Sequence, residues 1–492
     1  MEEDPTESTL EIRDARRWLV LAAAALGAFS ATVTGTSVNV ALPSLVEIFD
    51  TTFPVVQWVV LAYLLSMSAL LPIVGRLADM WGKKAIFIAG FVVFVLGSLL
   101  SGLAPTIGWL IAMRAFQGIG AAVLTSIGLA IVTDVFPAEE RGRAIGITGA
   151  VLSTGVVFGP TLGGFLVDSL GWYWVFLIGV PVGLVGILLT LRFVPAYRRG
   201  PRQRFDIPGA ALLLVTLLSL SLGLTLGQSL GFTSTIVLSL LALAAIGTVA
   251  FVVVERRIDQ PLLDLELFRN PTFTLGLVVG FITFVSIAGT IFLMPFYLEN
   301  VLGYPPFQVG ILMSVSPILL VIVAPLAGWF GDRFGERPVT VAGISVLLLG
   351  YLALGSLTET SSATGYVLRF VLVGLGMAIF QTPNNSAIMG SAPRGRSGVA
   401  GGLLALTRAL GQTAGIAVLG SLWAGRVAAR AQAGTANDFA ATDAPAHLQV
   451  AGLHDMLTVI QIGIAFGLVL CVWDLIRKRE EAVPVHSGEA PQ

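Results

Sequence analysis

The chain has 492 residues, 55% of them hydrophobic and only 12% charged, with a formal net charge of −1 and a mean hydropathy of +0.89. Soluble chains carry charge on about a quarter of their residues, so a water-soluble globular protein is excluded, and the near-zero net charge argues against a nucleic-acid partner. The single Cys471 lies in an apolar run, His447, His454 and His486 lie outside span interiors, and there is no Gly-x-x-x-x-Gly-Lys-Ser loop. Neither a disulfide framework, a metalloenzyme nor an ATP-driven pump is suggested, and no cofactor is expected.

An acidic head, Met1 to Glu11, precedes the first apolar run at Trp18. It lacks the basic start of a cleaved signal peptide, so the first span reads as a retained signal anchor behind a tail of residues 1–17. Apolar stretches of about 20 residues, enough to cross hydrocarbon as helices, begin near residues 18, 54, 84, 106, 144, 173, 207, 235, 272, 307, 338, 365, 398 and 454. That makes about fourteen spans in an all-α membrane protein.

Between the second and third spans lies Gly75-Arg76-Leu77-Ala78-Asp79-Met80-Trp81-Gly82-Lys83-Lys84. In the second half of the chain Gly328-Trp329-Phe330-Gly331-Asp332-Arg333-Phe334-Gly335-Glu336-Arg337 repeats its pattern: glycine, aspartate four positions on, then glycine three beyond with basic neighbours. A charged hairpin recurring in register between spans points to a duplicated transporter. Gly75 permits close helix approach, Asp79 can accept hydrogen bonds from a helix N-terminus or an arginine, and Lys83 and Lys84 suit lipid headgroups. The expected layout is a six-helix bundle over 18–200, two inserted spans within 201–270, a second six-helix bundle over 271–476 and a tail over 477–492.

Basic residues set the orientation. With the N-terminus in the cytoplasm, only Arg426 and Arg430 fall outside, and Arg114, Arg369 and Arg408 fall within spans. Both hairpins, the basic stretch Arg198 to Arg204 and both termini then face the cytoplasm, and the longest outside loop runs over 424–455. Arg369 is close enough to a surface to snorkel. Arg408 lies too deep for that, which points to a cavity or a buried pair.

Several segments together resemble the major facilitator superfamily, and within it the fourteen-span drug:proton antiporters. They are Asn39-Val40-Ala41-Leu42-Pro43, Gln57-Trp58 with Tyr63, the Gly75 to Lys84 hairpin, Arg114-Ala115-Phe116-Gln117-Gly118-Ile119-Gly120, and Gly155-Val156-Val157-Phe158-Gly159-Pro160-Thr161-Leu162-Gly163-Gly164. The resemblance covers nearly the whole chain and implies two bundles rocking about a central cavity. It also implies that Gly75, Arg76, Asp79, Gly82 and Lys83, with Gly328, Asp332 and Gly335, form a conformational latch. The helix carrying Gly155, Gly159, Pro160, Gly163 and Gly164 would mark an antiporter, and Arg114 would take part in proton transfer.

The chain departs from that pattern in its acids. Many relatives carry an aspartate where this chain has Thr34, and some a glutamate where it has Gln412. All 29 acidic residues fall in loops or at span ends, and neither threonine nor glutamine titrates in the working range. Proton relay candidates are therefore Asp79, Asp134 and Asp168, with Arg114. Cavity candidates are Thr34, Asn39, Gln57, Tyr63, Gln117, Gln381, Asn384, Asn385, Arg408 and Gln412. The segment Gln381 to Asn385 reads either as an interruption of the twelfth span or as its cytoplasmic end.

The expected function is export of small amphipathic compounds, driven by protons, by a multi-pass monomer of the inner membrane whose partners are substrate, protons and lipid. The alternatives are an exporter of a lipid or anionic metabolite without proton coupling, and a non-transporting sensor or scaffold.

Overall fold

A chain in hydrocarbon must satisfy each backbone N–H and C=O within its own segment, which favours continuous helices. The computed structural model describes residues 14–195, 207–231, 233–255, 265–391, 397–435 and 440–482. The acidic head, the Arg198 to Arg204 stretch and residues 483–492 lie outside these. The described residues form helices and short connections, without a strand among them.

In chain order the helices are α1 (Asp14–Ile48), α2 (Phe53–Trp81), α3 (Lys83–Gly102), α4 (Ile107–Val135) and α5 (Ala138–Ser169). They continue with α6 (Trp174–Phe193), α7 (Ile207–Leu230) and α8 (Thr235–Glu255). Then come α9 (Pro271–Val301), α10 (Pro306–Phe334), α11 (Glu336–Leu354) and α12 (Ala363–Ser391). The last two are α13 (Ser397–Ala414, a π turn Gly415–Leu419, then Gly420–Thr435) and α14 (Ala446–Ala482). Among the described residues 13 of these helices are long and apolar enough to cross a membrane; α7, with 24 residues, has the length of a fourteenth. Local chemistry sets several starts. Thr106 caps α4 by accepting from the Trp109 N–H, and Asn270 caps α9 by accepting from the Thr272 N–H, with Pro271 in the first turn.

The hairpin repeat is a repeat of backbone geometry. A single residue joins α2 to α3, Gly82 at φ 96° and ψ 127°, and a single residue joins α10 to α11, Gly335 at φ 90° and ψ 146°. Side chains avoid this region, so glycine is required at both turns. Each hairpin is tied to its own half by the basic residue that follows. Lys83 meets Asp134 of α4 at 2.5 Å, while Arg337 meets Asp474 of α14 at 2.5 Å and donates to the Thr272 hydroxyl at 2.6 Å.

Glycines also set the helix spacing in parallel places. A Cβ at Gly120 would lie 2.5 Å from the Phe94 nitrogen across α3 and α4, and one at Gly343 would lie 2.4 Å from the Phe380 nitrogen across α11 and α12. Small residues let backbones approach where lipid supplies no hydrophobic drive between helices. The pair α7 and α8 pack on each other, and α7 also packs along α2 and the later part of α13.

We call the end where α1 begins and α14 finishes the terminal end, and its opposite the distal end. One hydrophobic cluster joins both halves toward the distal end, including Leu42, Leu45, Phe53 and Val56 with Phe292, Phe296 and Trp423. Toward the terminal end each half has its own cluster, one around Phe87, Phe91 and Leu124, the other around Phe273, Leu277 and Leu403.

Two expectations need correction. The connection predicted over 424–455 is mostly helix, because α13 runs to Thr435 and α14 starts at Ala446. Its polar composition misled: Trp423 donates to the Gln449 carbonyl at 3.1 Å and Arg430 pairs with Asp455 at 2.8 Å, so polar side chains hold two helix ends together. Nor do Gln381 to Asn385 interrupt α12, which continues to Ser391 with Pro383 inside it. Asn384 there donates to the Gly276 carbonyl of α9 at 3.2 Å.

Glycine packing is testable by paired substitution. Gly343→Val is expected to destabilise the purified protein by about 1–3 kcal/mol through overpacking. Gly402→Ala, where an added Cβ meets nothing within 4 Å, is expected to be neutral or stabilising by up to about 1 kcal/mol. Thermal unfolding in detergent checks both, and equal midpoints for the two variants would contradict the packing described.

Candidate functional site

The distal seam is built on the glycine-rich stretch of α5. On one side Gly155, Gly159 and Gly163 face α1: added Cβ atoms would lie 3.2 Å from the Thr32 Cβ, 1.9 Å from the Thr36 hydroxyl and 2.5 Å from the Ser37 carbonyl. On the other side the stretch meets the second half. A Cβ at Gly164 would lie 2.2 Å from the Pro306 carbonyl, and one at Gly310 of α10 2.3 Å from the Pro160 carbonyl. Hydroxyls close the same contact, with Thr161 and Ser314 at 2.7 Å and Ser314 donating to the Val157 carbonyl at 2.9 Å.

A second contact joins α2 to α9 and α13. Phe53, 1% exposed at the start of α2, sits among Phe292 at 5.4 Å, Phe296 at 5.0 Å and Trp423 at 4.9 Å between ring centroids. Edge-to-face and tilted aromatic packing of this kind adds about 0.5–1.5 kcal/mol per pair beyond burial. One layer inward, the Gln57 side-chain amide donates to the Ile416 carbonyl. Between α1 and α9, Ser44 donates to the Glu299 Oε1 at 3.4 Å, and the buried Glu299 Oε2 has no hydrogen-bond partner.

Toward the terminal end, glycines on the same helices meet no neighbour. Added Cβ atoms at Gly146 and Gly149 of α5, and at Gly401 and Gly402 of α13, would meet nothing within 4 Å. Thus α5 and α13 each run from open faces to close cross-half contact. The distal contacts close that end of the space between the halves.

Arg114 lies in a sealed assembly within the first half. It is 0% exposed, donates to the Val59 carbonyl at 3.0 Å and the Gln117 Oε1 at 2.6 Å, and stands 4.1 Å over the Tyr63 ring and 5.7 Å from that of Phe176. Gln117 passes the network to the Ser98 hydroxyl at 2.8 Å, and the Tyr63 hydroxyl donates to the Ala31 carbonyl at 2.8 Å. The charge is held by carbonyls, amides and rings, with no carboxylate in ion-pair range among the described residues, and its second terminal nitrogen is unpaired. Burial of a charge on these terms is expensive and rigidifies what surrounds it.

The predicted residues therefore separate. Thr34, Asn39, Gln57, Tyr63 and Gln117 are buried in packing, at 1%, 8%, 0%, 2% and 0% exposure. Gln381, Asn385 and Gln412 are half-buried, and Arg408 is exposed. Asp134 is held by Lys83, while Asp168 and Asp332 are exposed near helix ends. The surroundings of Gly75 and the side chains of Arg76 and Asp79 lie outside what is described. No group of three or more His, Cys, Asp or Glu poised for a metal occurs among the described residues. Sequence reading did not single out Phe53, Trp423, Thr161, Ser314, Ser44 or Phe284. The spacing of Phe292 and Phe296 by four was a usable signal of one aromatic face, whereas nothing local marks Ser314.

Comparison with known proteins agrees with this architecture. The family model described as Major Facilitator Superfamily matches residues 24–416. The chain is 34% identical over 415 residues to the riboflavin transporter RibZ of Clostridioides difficile (strain 630), covering 83% of this chain and 89% of that protein. It is 37% identical over 407 residues to the multidrug resistance protein Stp of Mycobacterium tuberculosis (strain CDC 1551 / Oshkosh), covering 82% and 76%. It is also 30% identical over 413 residues to the multidrug transporter protein MdtP of Bacillus subtilis (strain 168), covering 84% and 76%. Among solved structures, a bacterial homologue of the human lysosomal transporter Spinster, in an inward-facing and unoccupied conformation, superposes with a TM-score of 0.67 at 18% identity, over 93% of this chain and 96% of that one. At that identity the likeness concerns the fold.

The distal closure can be trapped. Thr161→Cys together with Ser314→Cys, in a Cys471→Ala background, is expected to form a disulfide under mild oxidant, because the native hydroxyls lie 2.7 Å apart and a disulfide needs Cβ atoms about 3.5–4.5 Å apart. Free-thiol labelling followed by mass spectrometry reads the result. Persistent reactivity of both thiols would mean that the two helices do not meet there.

Proposed function

The chain belongs to the major facilitator superfamily of membrane transporters, and on that premise we propose that it exports small amphipathic compounds, drugs or toxic metabolites, as a proton antiporter working by alternating access. The observation that carries the reading is the asymmetry of the space between the halves. Its distal end is closed by the α5–α10 and α2–α13 contacts, while glycine faces on α5 and α13 are open at the terminal end. Relatives named for multidrug resistance support export of drugs. A relative named as a riboflavin transporter keeps endogenous cargo within reach.

The distribution of basic residues supports an inner-membrane protein with both termini in the cytoplasm. On that reading the conformation described is open inward. Turning outward requires the Phe53 cluster, the Gln57 bond and the Thr161–Ser314 pair to break while the terminal ends of α5 and α13 close. These contacts lie between the halves, so rigid-body rocking exchanges them without disturbing either core. The two glycine hairpins stand where such a movement ends. We assign Gly75, Arg76, Asp79, Gly82 and Lys83, with Gly328, Asp332 and Gly335, to the latch, supported by the fixed turn geometry at Gly82 and Gly335. The stretch Gly155, Gly159, Pro160, Gly163 and Gly164 is the outer bearing, supported by its contact with both α1 and α10.

For proton movement we retain Asp79, Asp134 and Asp168, with Arg114 as a charge that a moving α2 or α4 would expose. The transporter is read as a monomer. A second reading, export of an anionic metabolite without proton coupling, is favoured by Thr34 and Gln412 standing where relatives carry acids. The scaffold reading requires that the latch be dispensable.

Reconstitution in proteoliposomes decides between these. With a pH-sensitive dye inside, an imposed gradient and a panel of cationic, neutral and anionic amphiphiles, antiport is expected to give substrate-dependent proton movement. Asp79→Asn is expected to lower that flux by roughly tenfold or more, the scale of a lost hydrogen bond to a charged group. Substrate flux without proton movement would favour uncoupled export. Full function with Asp79→Asn would remove the latch, and absence of any flux would favour a scaffold.

A further inference from the structure

The face that α13 turns toward the first half is the stripe Arg408, Gln412, Ile416 and Gly420, one residue every four. Its direction is fixed at the distal end. The Ile416 carbonyl accepts the Gln57 amide of α2, and a Cβ at Gly420 would lie 2.7 Å from the same amide nitrogen. Two turns toward the terminal end, on this same face, Gln412 is half-buried and Arg408 exposed. Arg408 is about 16 Å along the helix axis from Ser397, at 1.5 Å per residue, and that is about half the thickness of hydrocarbon. A charged group at this depth avoids lipid and faces a cavity or the bundle interior, which on this face of α13 is the space toward the first half.

Its surroundings are one-sided. The guanidinium carbon stands 5.1 Å from the centroid of the Phe284 ring, and that ring is held in place because Gly411 leaves room for it: a Cβ there would lie 2.7 Å from the Phe284 Cβ. The ring covers one face of the guanidinium. The edge, where the N–H donors form a planar fork, has no hydrogen-bond or ion-pair partner among the described residues. The nearby acids are occupied or remote. Asp134 is held by Lys83 and Asp474 by Arg337 at the terminal end, while Glu299 lies in the distal seam with Ser44. Arg114 is wholly buried and offers the cavity no second charge.

We propose that Arg408 and Phe284 form an anion-recognition subsite in the cavity, which selects cargo bearing a carboxylate, sulfonate or phosphate next to a flat aromatic body. The fork accepts the anion edge-on, and the aromatic body lies along the Phe284 side under the Phe53 cluster. Gln412, one turn nearer the seam, offers an amide to a polar substituent. A cationic amphiphile of the same shape meets like charge in a low-dielectric space, which raises its cost. The inference deepens the export reading by naming the cargo class, and its test does not depend on transport.

The full chain in phosphatidylcholine nanodiscs is titrated with three probes that share one ring system: naphthalene-1-sulfonate, 1-naphthylmethanol and 1-naphthylmethylammonium. The sulfonate is expected to bind about ten- to a hundred-fold more tightly than the alcohol, the range of a hydrogen bond to a charged group, and the ammonium most weakly. Raising salt is expected to narrow the gap. Arg408→Gln should bring the sulfonate to the level of the alcohol and leave the alcohol unchanged, which also reports that the variant is folded. Arg408→Lys, which keeps charge and loses the fork, should fall between.

Ammonium binding equal to or tighter than sulfonate binding in the wild type, or an unchanged sulfonate preference in Arg408→Gln, would overturn the proposal. Displacement of the sulfonate by added phosphatidylglycerol would overturn it as a cargo site, because a lipid headgroup would then be the occupant. Selective sulfonate binding with no flux of any probe in proteoliposomes would sink the export reading and leave the subsite standing.

Discussion

The close approach of α5 to α10 at the distal end is the contact on which the rest of the arrangement depends. Carbonyls of Pro306 and Pro160 come within 2.3 Å of where a Cβ would stand on Gly164 and Gly310, so backbone packs directly on backbone. In a membrane, lipid tails compete equally for apolar side chains, and helix association is won by such surface fit and by polar contacts. The seam has both: glycine surfaces for fit, and the Thr161, Ser314 and Gln57 bonds for direction. None of its side-chain bonds anchors either half's own core. It is therefore a contact that can be exchanged while the halves stay intact.

The halves themselves are stiff for related reasons. Single-glycine turns at Gly82 and Gly335 fix how α2 meets α3 and α10 meets α11, and glycines at the crossings of α3 with α4 and α11 with α12 remove the slack that side chains would allow. Lys83 with Asp134, and Arg337 with Asp474, tie each hairpin to a neighbour in its own half. The part-exposed Lys83–Asp134 pair is individually weak and mainly orients its hairpin, whereas Asp474 is buried between Arg337 and Arg477, so removing a partner there is more costly. Two stiff bodies joined by an exchangeable seam is the mechanical requirement for rocking about a central site.

Charge is distributed in keeping with that division. Arg114 is enclosed by the Val59 carbonyl, Gln117 and the rings of Tyr63 and Phe176, and serves the packing of the first half in the conformation described. Arg408 stands over the Phe284 ring and is exposed, with no other partner among the described residues. The two residues look equivalent in a sequence, each a lone arginine in an apolar run, and their surroundings give them opposite accessibility. The same holds for the amides: Gln57 and Gln117 are committed to bonds, whereas Gln412 is half-buried.

Much was legible in the sequence because the bilayer constrains spans locally. Span length, the glycine and aspartate hairpins, the glycine-rich fifth span and the arginines within spans all follow from rules that act over about one to three helical turns. By itself the sequence therefore determined the all-helical membrane fold, the repeated hairpins and the family, which the match over residues 24–416 bears out. It misjudged the connection over 424–455, where a polar composition was read as loop although partners such as Gln449 satisfy it, and of the two readings left open for Gln381 to Asn385 the interruption does not hold, because the helix runs on through Pro383 with Asn384 bonded to Gly276. Only the tertiary structure decided which end is closed, which of the polar candidates are packed away, and that Phe53, Thr161 and Ser314 meet residues more than a hundred positions away. Those outcomes depend on the distance between helices remote in the chain, and hydropathy and spacing report only what a residue's own helix requires.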